Sequence, residues 1–237
     1  MNREKSFSGF LGETFDLVGQ NAVPILLFVL VLGGLNTVGL MLGYVDPDGT
    51  FASLGFGFNI DPAVGWIAGL FQILAAVLSV VASYFLLARF LESRGRLPVR
   101  DTRIWAYVGI TIVSVIGMIF GFLLFVVPGV ILLVRWSASS GYLLVGRLGI
   151  IDSLKASWEA TRGHSWPIFF AGLVLFLGLG LASGIVGSAI DFTGSALMVA
   201  LFSSMMEMAG NALGLAFGIA VYLLVADNSN EISEVFA

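Results

Sequence analysis

The chain has no cysteine, one histidine and few charges of either sign. Without cysteine, disulfide frameworks, thiolate metal sites and cysteine nucleophiles are excluded. His164 is too isolated to build a histidine metal centre, and its neighbours Gly163, Ser165 and Trp166 mark a helix start rather than a catalytic base. Lys, Arg, Asp and Glu make up 11% of the 237 residues, where soluble domains carry about 25%. A globule so composed would lack the polar surface to cover itself. That excludes a soluble enzyme, a nucleic-acid binder and a disordered tail. Gly-x-Ser-x-Gly elbows, His-Glu-x-x-His, Walker loops and clustered aspartates are absent too. The expectation is a non-enzyme with no cofactor and no metal.

Apolar residues and glycine are abundant: 58% of the chain is AVILMFWYC, and there are 30 glycines. A spanning helix needs about 20 mostly apolar residues. Such runs fall at about 23–44, 63–90, 104–127, 129–146, 166–190 and 196–225, cut at charges, prolines and polar clusters. Asp46-Pro47-Asp48-Gly49 reads as a turn, Asn59-Ile60-Asp61-Pro62 as a cap before a helix-starting proline, and Arg94-Gly95-Arg96-Leu97-Pro98 as a charged breaker. Residues 104–146 as one helix would reach about 65 Å, twice a hydrocarbon core. Pro128-Gly129 is therefore expected to divide a tight hairpin. The fold class is all-α: a single polytopic membrane domain over residues 1–237, with six transmembrane helices and two amphipathic interfacial helices.

Six spans place ten of the eleven basic residues on one side, from Arg3 and Lys5 through the arginine-rich loop 89–103 to Arg147, Lys155 and Arg162. The opposite loops hold Asp46, Asp48, Asp61 and Asp191 and no Lys or Arg. By the positive-inside rule both termini are cytoplasmic. Glu13 and Asp16 interrupt the approach to the first apolar run, so a cleaved signal peptide is not expected. In the loop, Arg94, Arg96, Arg100 and Arg103 either satisfy the topology rule or contact phosphates and lipid head groups.

The interfacial helices are expected at about 6–20, with Phe7, Phe10, Leu11, Phe15 and Val18 on one face, and at about 148–162, with Leu148, Ile151, Leu154 and Trp158. Lys155 and Glu159 are spaced to pair on the second helix. Leu11, Phe15, Asn21, Pro24 and Ile25 match Leu154, Trp158, His164, Pro167 and Ile168 at a constant offset of 143. Either an internal duplication or the shared needs of an amphipathic-to-spanning junction accounts for this.

Small-residue seams supply close packing between helices in lipid. Gly39/Gly43, Gly65/Gly69, Gly117/Gly121, Gly180/Gly184 and Gly210/Gly214/Gly218 have GxxxG spacing. They serve packing within the chain, a homo-oligomer or another membrane protein. Ionisable groups at membrane depth are functional candidates by default. Arg135 and Glu207 qualify, at about 10 and 16 Å from the non-cytoplasmic side by helical rise, and are expected to form an ion pair. Asn36, Gln72, Ser139 and Asn211 are expected to extend a polar network around it. The pair either fixes helix register or marks a transport path or head-group site.

The run Pro128-Gly129-Val130-Ile131-Leu132-Leu133-Val134-Arg135, then Ile151-Asp152-Ser153-Leu154-Lys155-Ala156-Ser157-Trp158, then Thr161-Arg162-Gly163-His164, resembles the glycerophosphoryl diester phosphodiesterase membrane-domain family and the related YciC-like bacterial membrane proteins. The resemblance implies a bacterial inner-membrane protein. The diesterase of the namesake enzymes is a separate soluble domain, to which nothing in these residues corresponds. The reading is a non-catalytic scaffold, partner-binding or envelope-maintenance protein of the cytoplasmic membrane, its partners the lipid bilayer and other membrane proteins. A small transporter or lipid-handling protein using Arg135 and Glu207 is the alternative.

Overall fold

In a bilayer every backbone polar group must be satisfied within the protein, so apolar runs of spanning length become helices. The computed structural model describes residues 4–45, 65–96 and 103–235, with side chains of the last helix up to residue 226. Over these residues run α1 (Phe7–Gln20), α2 (Ala22–Met41), α3 (Gly65–Glu92), α4 (Ile104–Leu124), α5 (Val126–Trp136), α6 (Ser139–Leu144), α7 (Ile150–Ala160), α8 (Ser165–Asp191) and α9 (Ala196–Val235). Among the described residues six stretches are long and apolar enough to cross a membrane: α2, α3, α4, Val126–Leu144 comprising α5 and α6, α8, and α9 as far as Ala226. The chain is an all-α, multi-pass helical protein. The turns expected at 46–49 and 59–62, the Leu97-Pro98 end of the charged breaker, and Arg100 lie outside the described residues.

The hairpin in 104–146 breaks at Phe125, three residues before the expected Pro128. Phe125 is extended, with φ −167° and ψ 156°, between the end of α4 and the start of α5. A proline ring clashes with the carbonyl four residues back but fits the first turn of a helix. Pro128 therefore ends the helix ahead of itself and stands third in α5. The return is tight because glycine lines it: a Cβ on Gly121 would stand 3.1 Å from the Cα of Gly129, and one on Gly117 would stand 2.5 Å from the Trp136 ring.

The chain divides into two compact units. The first holds Met1–Asn21, Leu87–Leu175 and Gly214–Ala237, and its core includes Phe10, Leu17, Phe90, Leu91, Ile110 and Val221. Tyr142 and Tyr222 meet edge to face at 5.0 Å, and Gly141 gives the Tyr222 ring its room. The second holds Ala22–Leu86 and Phe176–Leu213. There Gly33 lets the backbone at Met205 approach, Leu179 lies over Gly210, and Phe202 lies over Gly187. Its outward residues are large and apolar, among them Leu27, Ile73, Leu74 and Ile185, as lipid contact demands.

Only some of the GxxxG pairs are seams. Gly43 and Gly65 have φ of +71° and +76° and serve helix ends, and no atom approaches a Cβ built at Gly69, Gly180 or Gly184. Gly39, Gly117, Gly121, Gly210 and Gly218 do meet neighbouring side chains or backbone.

The two amphipathic helices bury an edge that shares only Phe10 and Leu154 with the expected apolar faces. In α1 the buried residues are Gly9, Phe10, Thr14 and Leu17, while Phe7 and Phe15 stay exposed. In α7 they are Ser153, Leu154 and Ser157, while Ile151 and Trp158 stay exposed. Small hydroxyl residues allow closer docking than rings, provided each hydroxyl finds an acceptor. Thr14 donates to the Phe10 carbonyl at 2.8 Å, and Ser153 to that of Gly149 at 2.8 Å. The helix starts keep the offset of 143, Phe7 with Ile150 and Ala22 with Ser165. Along the following spans Phe28 and Ala171 are buried at matching positions, as are Leu32 and Leu175.

Candidate functional site

Arg94, Arg103 and Arg135, in the first unit, each tie one helix or helix end to another. Arg103, just ahead of α4, donates from Nη1 to the carbonyls of Leu143 at 2.7 Å and Leu148 at 3.0 Å. The end of α6 leaves such carbonyls without helical partners, and the guanidinium supplies donors for both. Arg94 Nη2 stands 2.7 Å from Glu13 Oε1, joining the end of α3 to α1, with both side chains largely buried. Asn21, which closes α1, donates to the Leu17 carbonyl at 2.9 Å and to Ser93 Oγ at 3.0 Å. Arg96 is engaged as well.

Arg135 ends α5. Its Nη1 donates to the Trp158 carbonyl at 3.2 Å, and its guanidinium carbon lies 5.3 Å from the centre of the Trp158 ring. Ser157 Oγ closes the junction by donating to the Arg135 carbonyl at 2.7 Å. α7 is thus fastened to α5 by backbone, hydroxyl and cation–π contacts from two adjacent residues. Beside this fastening a groove of about 320 Å³ opens between α4, α5 and α7, lined by Val113, Trp136, Ile151, Leu154 and Trp158. Lys155 and Glu159 stand at its edge. Their spacing allows a pair, but among the described residues the ion pairs are Arg89–Glu92 and Arg94–Glu13, and a lysine placed before a glutamate is the weaker order for an i, i+4 pair.

In the second unit Glu207 Oε2 accepts a hydrogen bond from Asn36 Nδ2 at 3.0 Å, linking α9 to α2. Gln72 donates to the Tyr44 carbonyl, and Asn211 reaches Met208 Sδ at 3.9 Å. Ser204 is fully buried one turn before Glu207, and its Oγ has no hydrogen-bond partner among the described residues. Ser139 is buried in the first unit. Arg135 and Glu207 belong to different units, and each has a partner within its own.

Asn36 was expected in a polar network around Glu207, and it is the one member of that set that bonds to it among the described residues. The groove and the role of Trp158 were missed altogether. The available signal was an aromatic residue on an amphipathic helix, which an interfacial belt explains equally well. Among the described residues no three His, Asp or Glu side chains gather as a metal centre would require. Comparison with known protein families, curated proteins and solved structures finds no match to this chain.

Proposed function

We propose that this chain is a non-catalytic protein of the bacterial cytoplasmic membrane, with both termini cytoplasmic, that acts as a scaffold or partner-binding element in the envelope. One observation carries the reading: four polar contacts that chemistry or transport would need free are spent on holding helices together. Arg103 caps two carbonyls, Arg94 holds Glu13, Arg135 holds Trp158, and Asn36 holds Glu207. The bias of basic residues supports the orientation, and the resemblance of residues 128–169 to the membrane-domain family supports the bacterial inner membrane. Photo-crosslinking residues placed singly at the exposed positions Leu181, Ile185, Leu27 and Ile73 test the scaffold role in cells. A scaffold gives discrete protein adducts, with itself or one other membrane protein, confined to one of these faces; lipid adducts alone at all four contradict it.

A second reading, a small transporter, draws on the buried Ser204 hydroxyl one turn along α9 from Glu207, which Asn36 holds. Such a cluster at membrane depth suits a proton or cation path. Aqueous access to Glu207 separates the two readings.

A further inference from the structure

We propose that the groove between α4, α5 and α7 binds one phospholipid with a phosphate and a primary ammonium in its head group, the phosphate on Lys155 and the ammonium on Glu159. The inference goes beyond the scaffold reading and stands without it.

The groove's volume, about 320 Å³, falls at the lower end of small-molecule sites, about 300–1,000 Å³. Its walls are aliphatic and aromatic, from Val113, Leu154, Trp136 and Trp158, so the occupant presents hydrocarbon to them. Trp158 is a fixed wall, because Arg135 holds both its carbonyl and its ring.

The rim decides the head group. Lys155 and Glu159 are exposed, border the same groove, and make no hydrogen bond or ion pair with any other described residue. One cation and one anion, one helical turn apart and unpaired, complement a ligand that carries both signs across a short linker. A purely anionic head group would meet Lys155 but be repelled by Glu159. A quaternary ammonium has no N–H to donate to the carboxylate, and the Trp158 face that could hold one by cation–π attraction already faces Arg135. A primary ammonium satisfies Glu159 by a charge-assisted hydrogen bond. The expected setting of α7 at the membrane interface puts this rim at head-group level.

The test places the full chain in phosphatidylcholine nanodiscs containing a few per cent of lipid with brominated acyl chains, either phosphatidylethanolamine or phosphatidylglycerol. The signal is the tryptophan quenching that is lost in W158F. The ethanolamine lipid should quench Trp158 about tenfold more than its mole fraction predicts, one charge-assisted contact's worth of preference, and the glycerol lipid in proportion to its amount. E159K, at an exposed position, should reverse the preference toward phosphatidylglycerol, and K155E should abolish the enrichment of the ethanolamine lipid. Equal quenching by the two lipids in the wild-type chain would mean bulk lipid against an apolar wall and overturns the proposal. An unchanged preference in E159K overturns it as well, because Glu159 would then not read the ammonium.

Discussion

The guanidinium of Arg135 lies over the Trp158 ring at 5.3 Å while Ser157, the next residue back, donates to the Arg135 carbonyl at 2.7 Å. Two neighbouring residues of α7 therefore grip both the side chain and the backbone of one residue of α5. Replacing Arg135 by alanine should destabilise the protein by about 1–2 kcal/mol through the lost hydrogen bond and cation–π contact. A double-mutant cycle of R135A with W158L, read by denaturant unfolding in mixed micelles, should give a coupling of about 0.5–2 kcal/mol. Strict additivity would show that the ring and the guanidinium are merely adjacent.

The hairpin turn depends on absent side chains. Alanine at Gly129 would set its Cβ 2.5 Å from Phe122, and overpacking of this kind costs about 1–3 kcal/mol. G129A should therefore lower the midpoint of thermal aggregation, and G129L should prevent accumulation of folded protein. G180A, where a new Cβ meets nothing, is the control and should be neutral or slightly stabilising through helix propensity.

Arg103 closes the link between α6 and α7 through two carbonyls. Lysine retains the charge but not the planar fork of donors. R103K should open that link, measured as faster proteolytic cutting near Arg147 and a stability loss of about 1–3 kcal/mol. Preservation of the wild-type cutting rate would show that the charge alone suffices.

The spans were legible because bilayer thickness imposes a length that hydropathy reports directly. The break at Phe125 was displaced because proline acts on the turn before it rather than on itself. The protein-facing edges of α1 and α7 were not legible for a different reason. Periodicity finds the apolar stripe, yet Thr14, Ser153 and Ser157 dock more closely than Phe15 or Trp158 and leave those rings outward. The partnerships of Asn36 with Glu207 and of Glu13 with Arg94 join residues 171 and 81 positions apart. No local pattern encodes such pairs; only the packed helices bring them together.

Replacing Asn36 by leucine should cost about 0.6–2 kcal/mol, the range for polar contacts between spanning helices. Simultaneous replacement of Glu207 by leucine should recover part of that loss, since it removes the carboxylate that N36L leaves without its partner. Unfolding in mixed micelles reads both.

Aqueous access to Glu207 tests the central claim most directly. The chain has no native cysteine, so cysteines introduced singly at Asn36, Glu207 and Thr193 can be treated in oriented vesicles with a membrane-impermeant thiol reagent. A scaffold predicts labelling at Thr193, in the exposed turn between α8 and α9, from the non-cytoplasmic side, and protection at 36 and 207 from both sides. Labelling at 207 as fast as at 193 would reveal a water-filled path and contradict the account.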